Sequence, residues 1–172
     1  MRRHRVGTSL YAGVLFVVLG TLAWASGQPF IFPSLGPSAF ILEFQRDGDR
    51  TGLASVVMSH FIGGVAGLLA YSLLAGGVSL VADPTAFSMA GLRLVASATL
   101  SLVVTSWGMI ATDTVHAPAC ATTLIVSLGL LSTPLQVAVI VVGVGVLVAF
   151  HALVLSAYHQ ATDPSRPSLV DG

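Results

Sequence analysis

Four long apolar stretches restrict the folds that this sequence can adopt more than any other feature. They cover residues 8–26, 53–82, 90–111 and 135–158. A helix that crosses a bilayer needs about 20 mostly apolar residues, because each residue adds ~1.5 Å and the hydrocarbon layer is ~30 Å thick. The only charged side chain in the four stretches is Arg93, which lies near an end, where it can reach the membrane surface. We therefore predict four long transmembrane helices.

The composition of the chain agrees with lipid as its solvent. Charged residues make up 8% of the 172 residues, whereas soluble domains carry about 25%. The net charge is zero, so no basic surface is predicted to bind nucleic acid. The one cysteine, Cys120, excludes an internal disulfide and a cysteine-based zinc site. We predict a single transmembrane domain over residues 1–172, in a multi-pass protein of the cell membrane.

Two further apolar segments, residues 29–44 and 117–131, are shorter and contain prolines. Segments of this length suit re-entrant or half-membrane helices. If both segments turn back, the chain crosses four times and its two halves are parallel; if both cross, it crosses six times and the halves are inverted. We prefer re-entrant helices because the segments are short. The predicted fold is thus an all-α membrane protein with four long helices and two short ones.

The order long, short, long occurs twice, which indicates two pseudo-repeats over residues 8–80 and 89–158. A shift of 81 residues places Pro37 on Pro118. Interrupted segments at matching positions of two repeats are typical of a transporter's binding site. The arginines of the sequence Met-Arg-Arg-His-Arg at the N-terminus indicate a cytoplasmic end. Both topologies then place the tail, residues 159–172 with Arg166, in the cytoplasm too.

The first candidate site is the sequence Pro-Ser-Leu-Gly-Pro-Ser at residues 33–38. Proline suits the first turn of a helix and serine suits its N-cap, so a helix is predicted to begin here with free backbone N–H groups. A helix N-terminus carries a partial positive charge and binds anions. The alternative is an ordinary capped loop at the membrane surface. The candidate contact residues are Ser34, Gly36, Pro37, Ser38 and Ala39.

The second candidate site, residues 112–123, repeats this pattern of polar residues, proline and an apolar helix. His116 titrates near neutral pH and can couple proton movement to transport; the alternative is a loop histidine at the water interface. Asp113 is expected to cap a helix or to pair with His116. Two helix starts at equivalent positions can converge on one small anion. The candidate residues are His116, Pro118, Ala119, Thr122 and Thr123.

His60 is the third candidate, because an ionisable side chain inside a membrane span is costly and is usually kept for function. The alternative is a histidine that forms hydrogen bonds to a carbonyl or hydroxyl group of a neighbouring helix. Gly63, Gly64 and Gly67 follow it and predict a small-residue face for close helix packing. No spacing of metal or haem ligands is present, so no cofactor and no metal are expected.

Three stretches resemble the HPP family of integral membrane proteins. Residues 116–125, His-Ala-Pro-Ala-Cys-Ala-Thr-Thr-Leu-Ile, resemble the family signature His-Pro-Pro-Ala-Gly-Ala-Thr. Residues 35–42 resemble its Gly-Ala-Ser-Ala run, and residues 59–64 resemble its Gly-Gly-His helix. Ala117 and Cys120 depart from the signature, and the glycines follow His60 instead of preceding it. The resemblance implies a four-span fold and an anion permease, with nitrite as the leading substrate, because plant and cyanobacterial members are linked to nitrite transport.

The leading hypothesis is a small-anion, nitrite-like transporter or channel that holds its substrate at the starts of the two short helices. Backbone N–H groups near residues 36–39 and 118–121 would bind the anion, with hydroxyl groups from Ser38, Thr122 and Thr123. The alternatives are a non-transporting membrane scaffold or partner subunit, and a membrane enzyme or haem protein. No enzymatic constellation is evident, so no enzyme activity is expected. A homo-oligomer is expected, because four short spans leave little room for a complete pathway.

Overall fold

The computed structural model describes residues 2–28, 30, 32–44 and 52–162, and every regular element in this part of the chain is a helix. The prediction of an all-α protein is therefore confirmed. The α-helices are α1 (Arg2–Ser26), α2 (Leu35–Phe44), α3 (Leu53–Ala70), α4 (Met89–Ala111), α5 (Ala119–Ser127) and α6 (Pro134–Thr162). A π-helical turn, Tyr71–Ala75, extends α3, and a 3-10 turn covers Leu80–Ala82.

Three of the four predicted long spans appear within the described residues. The segments long and apolar enough to cross a membrane are Leu53–Ala75, Met89–Ala111 and Pro134–Tyr158. The second predicted span ends earlier than residue 82, because Gly76 and Gly77 terminate it. In α1 the apolar part is the shorter segment Leu10–Ser26, so a fourth long span is not shown. The predictions on Arg166 and the rest of the tail beyond residue 162 lie outside the described residues.

Glycines allow α3 to approach two neighbouring helices closely. A Cβ atom on Gly63 would lie 2.8 Å from the carbonyl oxygen of Ala119, and one on Gly67 would lie 2.8 Å from that of Thr123. A Cβ on Gly64 would lie 2.7 Å from Cγ1 of Val137. These distances are shorter than side-chain contacts allow. The predicted small-residue face is thus confirmed: two of its glycines meet α5 and one meets α6.

The direction of α5 corrects the expectation of a re-entrant segment. Thr105 of α4 meets Thr123, and Ser97, two turns earlier on α4, meets Ser127. Helix α5 therefore runs antiparallel to α4. It ends against the turn that follows α3, where the Leu80 N–H group donates to the carbonyl oxygen of Leu128 at 3.0 Å. The chain thus does not return to the end of the bundle at which α4 finishes, and the alternative of a crossing segment fits this half.

Residues 112–118, which precede this helix, form turns and irregular backbone. Their backbone polar groups still need partners inside a membrane protein. The Thr114 N–H group donates to the carbonyl oxygen of Met109 at 3.0 Å, and the Ser59 hydroxyl donates to the carbonyl oxygen of Thr114. Protein groups therefore replace the water that this loop would otherwise require.

The apolar core and the polar face of α4 lie in different places. The core joins α1, α2, α3, α5 and α6, and it includes the fully buried residues Leu15, Leu35 and Ile140. The buried face of α4 instead carries hydroxyl groups at a spacing of four residues: Ser97, Ser101 and Thr105 are all 0% exposed. Large apolar side chains of α4, such as Trp107, point outward. This arrangement suits lipid outside and hydrogen bonds between helices inside.

Candidate functional site

The two short helices begin beside each other in the interior of the bundle. The Thr122 hydroxyl, in the first turn of α5, donates to the Ser34 hydroxyl just before α2 at 2.8 Å. Ser38 Oγ lies 3.2 Å from His116 Nε2. All four side chains are buried, with at most 3% of their surface exposed. The contacts also show that α2 and α5 run antiparallel, because Ser34 pairs with Thr122 while Ser38 pairs with the earlier residue His116.

His60 joins these two helix starts from α3. Its Nε2 atom lies 3.0 Å from Ser38 Oγ, and its Nδ1 atom lies 2.7 Å from Thr122 Oγ1. The imidazole is fully buried and lies two turns into α3, ~10 Å from the start of that helix. We refer to Ser34, Ser38, His60, His116 and Thr122 as the polar cluster. It connects α2, α3, α5 and the loop before α5 through side-chain hydrogen bonds.

Ser38 is the centre of the polar cluster, because its hydroxyl oxygen contacts three partners. These are the carbonyl oxygen of Ser34 at 3.0 Å and the Nε2 atoms of His60 and His116. A hydroxyl group has one proton to donate and two lone pairs that accept. When Ser38 donates to the Ser34 carbonyl group, both imidazoles donate to Ser38. The Nδ1 atom of a neutral His60 is then left with a lone pair that faces Thr122 Oγ1, whose own proton is donated to Ser34. The proton positions of the five side chains are thus mutually dependent.

The two imidazole rings are close enough to influence each other electrostatically. Their centroids are 5.5 Å apart and their planes are inclined by 56°. Asp113 does not pair with His116: it is exposed in the turn that ends α4, where its φ angle is 53°, whereas His116 is buried. Neither histidine contacts a carboxylate among the side chains that the structure describes. The cluster therefore contains hydroxyl and imidazole groups and no acidic partner.

Several predicted site residues lie next to the polar cluster but do not join it. Thr123 points the other way, to Thr105 Oγ1 at 2.8 Å. Pro37 is exposed, and a Cβ on Gly36 would lie 3.9 Å from the ring of Phe16 of α1. Ala39, Pro118 and Ala119 are buried, and their side chains offer no polar atom. They shape the helix starts without contacting a ligand through polar side-chain groups.

The backbone at the start of α5 differs from the predicted anion cradle. The N–H groups of Ala119, Cys120 and Ala121 each donate to the carbonyl oxygen three residues earlier, at 3.0 Å. Pro118 has no N–H group to donate. The expectation of free backbone donors at residues 118–121 is therefore corrected, because a tight first turn already uses them. Side-chain hydroxyl and imidazole groups are the polar atoms that the structure places between the two helix starts.

Three hydroxyl residues next to the site were not singled out from the sequence. Ser59 supports the loop that carries His116, through the carbonyl oxygen of Thr114. Thr105 binds Thr123, and Ser97 donates to the carbonyl oxygen of Ser127 at 2.9 Å. The spacing of four residues between Ser97, Ser101 and Thr105 was a visible signal. It places three hydroxyl groups on one face of a helix that is otherwise mostly apolar.

The described residues contain no group of three or more histidine, cysteine, aspartate or glutamate side chains that could hold a metal ion.

The sequence was compared with curated proteins, solved structures and protein families. No curated protein and no solved structure matches the chain. The family model described as HPP, transmembrane region, matches residues 2–167. Since this match covers nearly the whole length, the chain belongs to the HPP transmembrane region family, as the resemblance of its three motifs predicted.

Proposed function

We propose that this membrane protein is a transporter or channel for a small inorganic anion, with nitrite as the first substrate to test. The observation that carries the proposal is the meeting of two helix starts around His60 inside the bundle. Each helix start contributes a partial positive charge from its dipole. The hydroxyl and imidazole groups between them are donors that a small anion requires. This proposal rests on the site, and the family resemblance contributes only the choice of anion.

The cost of the polar cluster supports a functional role. Five polar side chains are buried together in a chain whose outer surface faces lipid, and each must have partners there. Apolar side chains at the same positions would hold the helices together without any need for hydrogen-bond partners. Ionisable side chains in membrane spans are mainly kept where they serve substrate or proton movement. We therefore assign the cluster to substrate handling, with His60 and His116 as the ionisable groups.

The polar cluster is closed to solvent in the structure. The polar cluster is at most 3% exposed, so a substrate reaches it only after some helices separate. Every hydrogen bond that joins α2 to α3 or α5 within the cluster involves Ser34 or Ser38. In contrast, α3 and α5 are in direct backbone contact at Gly63 and Gly67. We infer that access requires a movement of α2 away from the α3–α5 pair.

Flux into liposomes tests the proposed function. Purified protein is reconstituted, and uptake of nitrite, nitrate, formate and chloride is compared with protein-free liposomes. We expect uptake of at least one of them above the protein-free rate. If none of the four anions enters faster, the transport proposal is wrong, and the alternative of a scaffold or partner subunit gains support. That alternative also predicts that apolar replacements of Ser38, His116 and Thr122 are tolerated.

A pair of neighbouring threonines gives a matched control for the position of the site. Thr122→Val removes a hydroxyl group from the polar cluster, whereas Thr123→Val removes one that binds Thr105. The two substitutions are chemically identical, and the two side chains point in directions about 100° apart on α5. We expect the Thr122 variant to lose anion uptake by at least about tenfold, which corresponds to about 1.4 kcal/mol. Equal losses in both variants, at equal folded yield, would contradict the assignment.

A further inference from the structure

The polar cluster lacks a fixed positive charge. The one arginine side chain that the structure describes is Arg93, which donates to the carbonyl oxygens of Leu74 at 2.8 Å and Gly76 at 3.2 Å. Arg93 is exposed and lies three helical turns from Thr105, ~18 Å along α4. Its charge is therefore directed to the end of α3. Any full positive charge inside the cluster must come from a protonated imidazole.

An anion in this buried site needs a compensating charge. Moving an ion from water into a low-dielectric interior is expensive unless it is paired and hydrogen-bonded. The two helix starts and the hydroxyl groups offset part of this cost. The N–H groups at the start of α5 already donate to carbonyl oxygens, which weakens their contribution. The remaining charge must arrive with the anion, and a proton is the one cation that an imidazole can accept.

The geometry limits the cluster to one such proton. The two rings are 5.5 Å apart, and two positive charges at this distance would repel each other without a carboxylate between them. The other titratable groups on neighbouring elements do not supply one. Asp113 is exposed in the loop before His116, Cys120 is half-buried on α5, and His151 of α6 lies 3.1 Å from the Tyr11 hydroxyl of α1.

Protonation of His60 would also complete its hydrogen bond with Thr122. A doubly protonated imidazole donates from both nitrogen atoms, so His60 would donate from Nε2 to Ser38 and from Nδ1 to Thr122. Both hydroxyl oxygens then accept from His60, while Ser38 donates to the Ser34 carbonyl oxygen and Thr122 donates to the Ser34 hydroxyl. One added proton on Nδ1 thus supplies the hydrogen that the contact between His60 and Thr122 lacks when His60 is neutral.

We propose that the polar cluster takes up one proton with each anion, shared by His60 and His116 through Ser38, so that transport is electroneutral proton–anion symport. This inference rests on the proposed function and adds the coupling of anion movement to proton movement. The proton comes from water on the side where the anion enters. It is released to water on the other side, and no covalent bond to the anion forms. A charged intermediate in the membrane interior is thereby avoided.

The test measures nitrite uptake, proton movement and current together in liposomes. A pH dye inside the vesicles reports protons, and an electrical potential is imposed with potassium and valinomycin. We expect one proton to enter per nitrite above the protein-free rate, which includes leakage of the neutral acid. We also expect no protein-dependent current and no response to the imposed potential. An inward pH gradient of one unit should support about tenfold nitrite accumulation.

The failures of the two proposals are distinguishable in this experiment. Nitrite uptake that carries current, or that changes with the imposed potential, would overturn the coupling but leave the transport proposal in place. Absence of nitrite uptake above protein-free liposomes would overturn both for this anion. The wild-type measurement decides the question without a variant, so a folding defect in a mutant cannot obscure it.

A variant then tests whether His60 carries the proton. His60→Gln keeps a hydrogen-bonding side chain but cannot accept a proton in this pH range. We expect at least about tenfold slower uptake and no acceleration by an inward pH gradient. Ser72→Ala is the control, because this exposed hydroxyl group only donates to the carbonyl oxygen of Leu68 on its own helix. A His60→Gln protein with unchanged proton-coupled uptake would remove His60 from the mechanism.

Discussion

Ser38 shows how one side chain can determine the state of the whole site, because its hydroxyl oxygen contacts both imidazoles and a carbonyl oxygen. Ser38→Ala would leave the Nε2 atoms of His60 and His116 without this partner in a buried position. An unsatisfied buried polar group costs about 1–3 kcal/mol. We expect a lower unfolding temperature in detergent and loss of anion uptake. A Ser38→Ala protein as stable and as active as the Ser72→Ala control would contradict this role.

Ser127 presents the opposite situation, because its buried hydroxyl oxygen has no hydrogen-bond partner. Ser127→Ala removes an unsatisfied polar group, so we expect an unchanged or higher unfolding temperature. Ser97→Ala, by contrast, removes the hydroxyl that donates to the carbonyl oxygen of Ser127 and should cost about 1 kcal/mol. Thermal unfolding of the two variants in the same detergent makes the comparison. A lower unfolding temperature for Ser127→Ala than for Ser97→Ala would show that the Ser127 hydroxyl has a partner in the folded protein.

The sequence identifies the ionisable members of the site but not their partners. His60 and His116 were recognisable because histidines are rare in apolar segments, and Ser34 and Ser38 because they flank a helix start. The sequence did not indicate that Thr122 belongs to the polar cluster and that Thr123 does not. Adjacent residues on a helix point in directions about 100° apart, and only the packing of α5 between α3 and α4 decides which hydroxyl meets His60.

At the scale of the elements, the contact between α3 and α5 depends on glycine. A Cβ on Gly63 would lie 2.7 Å from Thr123 Oγ1 and 2.8 Å from the carbonyl oxygen of Ala119. We expect Gly63→Ala to push α5 away and to cost about 1–3 kcal/mol, the usual penalty for overpacking. Gly145→Ala is the control, because no atom lies within 4 Å of its added Cβ. Equal unfolding temperatures for the two variants would refute the close contact.

The existence of the two short helices was predictable from the sequence, whereas the route of the second one was not. Prolines and segment length indicated α2 and α5. The choice between turning back and crossing depends on where α5 ends. That end is set by contacts such as Gly129, whose added Cβ would lie 2.5 Å from the carbonyl oxygen of Val78. Segment length did not indicate this end, because the contacts that fix it join residues far apart in the sequence.

At the scale of the whole molecule, two kinds of helix contact meet at the site: α3 and α5 are in close backbone contact, whereas α2 contributes polar side chains that form hydrogen bonds to that pair. The polar face of α4 adds to the α3–α5 pair, since Thr105 and Ser97 bind α5. If the site opens by movement of α2, the hydrogen bonds of Ser34 and Ser38 break while the glycine contacts persist. The two kinds of interface thus predict which helices separate during transport and which stay together.

Engineered disulfides can test directly whether α2 separates from α5 while α4 stays in contact with it. Ser34 Oγ and Thr122 Oγ1 are 2.8 Å apart across the α2–α5 contact, and Thr105 Oγ1 and Thr123 Oγ1 are 2.8 Å apart across the α4–α5 contact. Each pair is replaced by two cysteines in a Cys120→Ala background, and disulfide formation is confirmed by gel mobility. We expect oxidation of the Ser34→Cys, Thr122→Cys protein to reduce anion uptake at least about tenfold relative to its own reduced form.

The Thr105→Cys, Thr123→Cys protein is the matched control, since its disulfide would join two helices that are expected to move together. Its uptake should be similar in the oxidised and reduced forms. The reduced form of the first variant already lacks the two cluster hydroxyl groups of Ser34 and Thr122, so the comparison concerns only the uptake that this reduced form retains. Undiminished uptake with the α2–α5 disulfide formed would show that the site opens elsewhere. Equal inhibition by both disulfides would show that α4 moves relative to α5 as well.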